Sequence, residues 1–500
     1  MKVSGKKILV ILTLVLLGVS LIVSTAQAQK QDPRWFGPFQ LSSEEAVVMG
    51  SGTIAADEYG YVHAFWVEGG VVSGKYILQY ARFDGTTWSN PIDIFISPEA
   101  ATFGFLFPPI VTADGTLHLF WTLSTQGPLV HMSAPATNAL SALNWTRAPS
   151  FPLPVFQLVA RQDAAGVLHV VFSNLVGADP GLYYMRSVDG GKNFTTEIWL
   201  DPSIPSNYGP SSLHFEIDPA DGVMHIVWRY EEKLGPATFE GKAQMYMRSV
   251  DGGQTWSDPY TFDIADEDPG ELRGDALVFG VHQGNAVVVW AGTDATEREY
   301  AYSTDAGVTW KGPLRTFGGL QGSAAGDSMV VDGAGDFHWM GQVRYPQGLY
   351  EIGWDGTRWG LPGLIYLISS TALDPIGDRI HIHSVRTAVR RGNQLVTIFT
   401  DPPPNTDRAL YAIHRTFDSI PPRDILPTPL PSATPTPFQT PTPNTPPKTP
   451  TPTLPPFGTA APESQNSPGL DLGISILAVI LLIAAVVVFR IAGAARFRKR

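Results

Sequence analysis

Met185-Arg186-Ser187-Val188-Asp189-Gly190-Gly191 returns almost letter for letter as Met247-Arg248-Ser249-Val250-Asp251-Gly252-Gly253. Ser303-Thr304-Asp305-Ala306-Gly307-Val308-Thr309-Trp310 is a third copy. The shared pattern is S-x-D-x-G-x-T-W, and a repeat of this kind constrains the fold more than composition does. Its chemistry is local. An Asp carboxylate accepts hydrogen bonds from amides of its own turn, Gly supplies a positive φ, and the aromatic leads the chain back into a strand. Each copy therefore reads as the connector between two antiparallel strands.

These turns resemble the Asp box, or bacterial neuraminidase repeat, of sialidase-like β-propellers. The matching stretches are Ser187 to Phe194, Ser249 to Trp256 and Ser303 to Trp310, with Phe194 in the place of the usual Trp. The residues carrying the pattern are Asp189, Gly191, Asp251, Gly253, Trp256, Asp305, Gly307 and Trp310. Asp84-Gly85-Thr86-Thr87-Trp88 and Asp355-Gly356-Thr357-Arg358-Trp359 are forms shortened by one residue. In the family the boxes are structural and lie away from the active face.

A second repeat, G-x-x-H-x-x-W, precedes each box. It starts at Gly60, Gly115, Gly166, Gly222, Gly284, Gly335 and Gly392, roughly every fifty to sixty residues. His63, His118, His169, His225 and His338 occupy the His place, and Trp66, Trp121, Trp228 and Trp290 the Trp place. Seven units predict an all-β, seven-bladed propeller of four-stranded blades. Within each unit, strand A enters the Gly turn, B carries His and Trp, C precedes the box and D follows it. Six blades, the number in known sialidases of the family, is the alternative. The last unit stops at Leu410 to Arg415, and Trp35-Phe36-Gly37-Pro38-Phe39-Gln40-Leu41 resembles the D segment Trp310-Lys311-Gly312-Pro313-Leu314. The N-terminal strand is therefore expected to complete blade seven.

The ends carry different signals. Residues 1–28 read as a secretory signal: Lys2, Lys6 and Lys7, an apolar run, then Ala26-Gln27-Ala28. Residues 29–419 form the propeller. Residues 420–468 are a Pro/Thr-rich stalk of polyproline character. Residues 469–490 are apolar for about the length that spans a bilayer. Residues 491–500 are basic, which places them on the cytoplasmic side and the head outside the plasma membrane. The chain has no Cys, which excludes disulfides and thiolate chemistry. Its net charge of -12 argues against nucleic acid as a partner.

In this topology the A–B and box turns share one face, and the B–C and D–A connections share the other, open face, where sites usually sit. Arg229, Tyr230, Glu231 and Glu232 are expected at the end of strand B of unit four. Glu271 and Arg273 precede strand A of unit five. Glu297, Arg298 and Glu299 start its strand C, and Arg344 and Tyr345 follow strand B of unit six. Arginine suits carboxylate recognition through its planar, always charged fork. Candidate ligand contacts are thus Arg229, Glu232, Arg273, Arg298, Arg344 and Tyr345. The resemblance to sialidases implies three arginines, a Tyr–Glu nucleophile and an acid/base Asp. Arg229, Arg298 and Glu216 are the matching positions; the family's early arginine and its acid/base Asp have no counterpart. Two functions follow: a membrane-anchored propeller that binds an acidic glycan or a protein, or an exo-α-sialidase-type hydrolase.

No metal or other cofactor is expected. The repeated His residues sit on different blades, whereas zinc draws its ligands to one centre. His381 and His383, two apart on one strand face, are a weak metal signal. Asp263, Asp266 and Asp268 are the candidate Ca²⁺ ligands, without EF-hand spacing.

Overall fold

Seven antiparallel sheets are described along the chain; in five of them the strand neighbours are in sequence order, while the second carries an extra strand and the last takes in the N-terminal strand. The computed structural model describes residues 32–427, apart from 45–46, 73–74, 98–103, 125–127, 149–150, 175–179, 202–207, 236–237, 265–276, 292–297, 318, 321–325, 345, 368–382 and 402–408. The expected signal, most of the stalk, the apolar segment and the basic tail lie outside the described residues. Among the described residues, no helix is long and apolar enough to cross a membrane.

Seven hydrophobic clusters hold the sheets together, and each joins two successive blades. Phe65, Tyr80, Leu119 and Trp121 join blades one and two. Phe215, Trp228, Val171 and Tyr184 join three and four. The seventh cluster packs Val62, Ala64 and Trp66 of blade one against Val396, Ile398 and Leu410 of blade seven. Seven interfaces for seven blades make a closed ring. Strand B of each blade is buried on both faces, so it reads as a continuous apolar run: Asn285–Ala291 is Asn-Ala-Val-Val-Val-Trp-Ala. Burying each large aliphatic or Phe side chain contributes roughly 1.5–3 kcal/mol. The outer strands are wet by contrast, as Lys311–Thr316 shows.

Phe36–Gln40 pairs antiparallel with Ala409–Thr416, Phe36 opposite His414 and Gln40 opposite Tyr411. The first strand therefore completes the last blade, as the Trp35 segment predicts. Gly37 (φ +117) and Gly312 (φ +137) hold equivalent places in the two outer strands. A Cβ on Gly37 would lie 2.9 Å from Ala412 O, and one on Gly312 2.7 Å from Tyr300 O. Only glycine lets the outer strand approach this closely.

Two blades depart from the expected pattern. Blade two has five strands, because two short pieces, Thr146–Arg147 and Phe151–Pro154, replace its outer strand. Its C–D connection is built from two 3-10 turns rather than a repeat turn. Trp145, which follows the second, packs edge-on against Phe65 and Tyr80 of blade one at 5.8 Å. In blade six, Gly341 stands at the Trp place of the repeat. Trp339, two residues earlier on the same strand face, covers it and fills the same inter-blade space.

Candidate functional site

The three full repeat turns share one hydrogen-bond scheme. Ser187, Ser249 and Ser303 each donate from Oγ to the Asp two residues on, at 2.7, 2.8 and 2.7 Å. The Gly four residues on donates its N–H back to the Ser Oγ at 2.9 Å in all three. Thr255 and Thr309 donate from Oγ1 to Asp251 and Asp305 at 2.6 Å, and Asn193 donates from Nδ2 to Asp189 at 2.7 Å. With so many donors, these three carboxyls are held down at about 2. Asp84 and Asp355 of the shortened turns also lie at about 2.

The repeated histidines are buried and mostly bonded within their own blade. His63 Nε2–H donates to Asp57 at 3.1 Å, and its Nδ1 accepts from the Tyr80 hydroxyl at 2.8 Å. His169 repeats this with Asp163 and Tyr184, and His225 Nδ1 accepts from Tyr246. Burial lowers His118 and His225 to about 4. His338 differs: it lies between Asp332 (3.0 Å) and Glu351 (2.8 Å) and is raised to about 9. Among the described residues no group of three or more His, Asp or Glu could hold a metal ion. Asp266, Asp268 and His381 lie outside those residues; Asp263 and His383 are in strands, but their side chains are not described.

Among the described residues, strand B of blade four carries a cluster of polar groups toward the open face. This strand, Met224–Gly235, runs on past Glu232 and pairs with Thr238–Ser249 in a long hairpin. Arg229 to Glu232 thus lie within the strand rather than at its end. Arg229 is 9% exposed and forms an ion pair with Glu231, whose carboxylate also accepts from Ser211 Oγ at 2.6 Å. Glu232 pairs with Lys242 at 3.3 Å. Tyr230 donates its hydroxyl to Asp201 of blade three. Burial first, then Asp201, push the Tyr230 phenol far above its ordinary value.

Strand alternation sets these groups apart. Trp228 and Tyr230 belong to the cluster toward blade three, while Val227, on the face of Arg229 and Glu231, belongs to the cluster toward blade five. Arg298 opens strand C of blade five and points to blade six. There its Nε donates to Asp327 at 2.9 Å, and its guanidinium lies 5.4 Å from the Trp339 ring centre. Burial raises Asp327 despite this partner.

Glu216 sits one residue before the end of strand A, Tyr208–Ile217, toward the repeat-turn face. Arg161 of blade three grips it through two bonds of 2.8 and 2.6 Å. The structure therefore does not bring Glu216, Arg229 and Arg298 together. Arg344 ends its strand with its side chain undescribed, and Arg273 and Tyr345 lie outside the described residues.

Sequence reasoning missed Asp201, Arg161, Arg386, His214 and Asp401. Asp401 ends strand B of blade seven, accepts from the Tyr366 hydroxyl at 3.0 Å, and is raised by burial to about 6. The partners of Asp201, Arg161, His214 and Asp401 come from other strands or blades, so no local spacing announces them.

No family model matches the chain, and no curated protein sequence does. Solved structures do resemble it. A polysaccharide lyase of family PL25, an ulvan lyase bound to -[GlcA(1-4)Rha3S]-, aligns with a TM-score of 0.50 and 11% identity, over 75% of this chain and 95% of that one. The NanB sialidase from Streptococcus pneumoniae aligns with a TM-score of 0.42 and 13% identity, over 78% and 71%. A protein of unknown function from Dyadobacter fermentans aligns with a TM-score of 0.46 and 13% identity, over 77% and 100%. At these identities the likeness is one of fold alone, and the PL25 lyase is the neighbour that carries it.

Proposed function

We propose that this chain is an exported, membrane-anchored propeller that binds an extracellular acidic glycan or protein through the face opposite its repeat turns, without cleaving it. One observation carries the choice of binding over hydrolysis. Arg229 and Tyr230 project from opposite faces of one strand, and each is held by a carboxylate of this chain. Sialoside hydrolysis needs arginines and an activated tyrosine around one sugar. A phenol held protonated by burial and by Asp201 is a poor nucleophile. An acidic polymer as occupant is supported by the PL25 lyase of similar fold, which was solved with an anionic saccharide.

The second reading, carried by the resemblance of the Arg229 and Asp251 segment to the sialidase order, is an exo-α-sialidase-type hydrolase. An acidic-glycan array beside a fluorogenic sialoside separates the two. Acidic hits without fluorophore release support binding. Release that disappears in Tyr230→Phe supports the hydrolase. No acidic hit and no release leave a protein-binding scaffold. The anchoring is tested by protease on intact cells, which should free a soluble head cut within residues 421–462. A head that is not released removes the tethered arrangement.

A further inference from the structure

The innermost strands of the seven blades enclose a central channel with a cavity of about 420 Å³. That is within the range of small-molecule sites. Its lining is divided by chemistry. Phe105, Phe107 and Phe156 give one aromatic part, with Phe105 edge-on to Phe156 at 5.0 Å. Gln157, His214, Ser328 and Arg386 supply polar groups elsewhere around it.

The charges do not balance. Glu216 is taken up by Arg161, and Asp327 accepts from Arg298 at 2.9 Å and from Trp339 Nε1 at 3.1 Å. Arg386 is half-buried and lines the cavity, and its Nη1 donates only to its neighbour's carbonyl, Val385 O, at 2.9 Å. Among the described residues no carboxylate forms an ion pair with it, although the Asp327 carboxylate is near enough to act on it electrostatically. One guanidinium thus faces the channel with its Nε and Nη2 donors uncommitted, in a chain of net charge -12.

The neighbouring polar groups also keep unused capacity. Ser328 Oγ accepts from Thr387 N–H at 3.1 Å, which leaves its own proton to donate. Gln157 Oε1 accepts from Leu213 N–H at 2.7 Å, which leaves its NH₂. His214 Nε2–H donates to Leu277 O at 2.7 Å, so Nδ1 is an acceptor. Burial, together with Arg386 and Arg161, keeps that ring neutral, at about 4. One cation, two further donors, one acceptor and an aromatic surface match one carboxylate attached to a small hydroxylated body.

We propose that the channel binds a monocarboxylate of sugar-acid size, its carboxylate on the Arg386 fork and its hydroxyls on Gln157, Ser328 and His214. The source is a free acid or the acidic end of a chain entering from the channel mouth. The assignment does not depend on what the open-face loops bind.

Calorimetry on the full-length chain in mild detergent tests it, with D-glucuronate, a glucuronate-ended disaccharide, acetate and D-glucose as probes. The expected result is at least tenfold tighter binding of glucuronate, or of the glucuronate-ended disaccharide, than of glucose. Preference for the free acid identifies that source, and preference for the disaccharide identifies a chain end. Arg386→Gln should remove the preference, Arg386→Lys should keep part of it, and Lys311→Gln on an outer strand should keep all of it. Equal binding of glucose and both glucuronates, or an Arg386→Gln variant that binds as the parent does, overturns the proposal. Acetate binding as tightly as glucuronate overturns the size class. Should Arg386→Gln fail to fold, Arg386→Lys and the parent's choice between glucuronate and glucose decide the matter. A polymer captured on the outer loops without glucuronate in the channel removes this inference and leaves the earlier one standing.

Discussion

The Tyr184 hydroxyl of blade three fills the space where a side chain on Gly253 of blade four would begin. Gly253 has a φ of +77, and a Cβ there would collide with that hydroxyl. The same oxygen bonds His169 Nδ1 at 2.7 Å. Tyr246 stands in the same relation to Gly307 and His225 one blade on. The His, the Tyr and the turn glycine are thus one device that locks blade three to blade four and blade four to blade five. Trp256 and Trp310 cap it edge-on, against Tyr184 at 5.5 Å and Tyr246 at 4.8 Å.

Gly253→Ala should therefore destabilise the head through both backbone strain and collision. The strain alone costs on the order of 1–3 kcal/mol. Gly222 has a similar φ of +75 but nothing within 4 Å of its Cβ. Gly222→Ala should lose stability through strain only. Thermal melts of the two variants give the comparison, and equal losses would remove the inter-blade role of Tyr184.

Ring closure predicts a contrast between adjacent residues. Trp35 is 5% exposed and packs on Met340, Leu349 and Ile413, whereas Phe36 is 59% exposed. Trp35→Ala should cost about 3–5 kcal/mol, as large core aromatics do. Phe36→Ala should change stability little. Denaturant titration measures both, and a Trp35→Ala variant as stable as its parent would mean that the N-terminal strand does not close blade seven.

The period of the Gly turns made the blade number legible, and the likeness of the Trp35 and Trp310 segments made the closure legible. Blade two was not, because its C–D connection lacks the Ser–Asp–Gly grammar and brings Trp145 in from a 3-10 turn. Trp339 was legible only with hindsight, since its place is two residues early and shows only once strand faces are assigned. The site was legible as a list of arginines but not as an arrangement. Arg161–Glu216 and Arg298–Asp327 each join two blades, and such pairs are set by the ring rather than by sequence spacing.

Histidine predicts two opposite pH effects. His338 is raised to about 9 by Asp332 and Glu351, while Arg415 (2.7 Å from Glu351) and Asp336 complete its charged surroundings. Its unfolded value is near 6.5. The stability that its protonation supplies is present below about 6.5 and fades as pH rises through 9. His118, His214 and His225 sit at about 4, so their contribution is present above 6.5 and fades as pH falls toward 4. Unfolding free energies from pH 4 to 10 should therefore fall at both ends. His338→Gln should flatten the alkaline limb and leave the acid limb; an unchanged alkaline limb would show that His338 is not the group responsible.

Asp251→Ala and Asp305→Ala should act on stability and leave ligand binding alone. Each carboxylate organises a turn on the face opposite the open loops. With the carboxyls held at about 2, the bonded form is complete above about 3.9 and is lost as pH falls through 2. Melts near neutral pH should drop by a few degrees. Lost binding with unchanged melting would place these residues in the site instead.

Arg298 separates a structural arginine from a functional one. It is 1% exposed, bonded to Asp327, and packed near Trp339 at the interface of blades five and six. Removing it leaves a carboxylate buried without its cation, which costs about 3–5 kcal/mol. Replacing both charges with apolar groups of similar volume leaves no such charge. Arg298→Met should therefore melt well below the parent, and Arg298→Met with Asp327→Leu should recover most of the loss. If Arg298 instead served ligand recognition, the double variant would be stable and yet fail to bind an acidic glycan that the parent binds. The two measurements on one pair of variants thus decide whether Arg298 belongs to the ring or to the ligand, and the burial of the pair leads us to expect stability restored and binding retained.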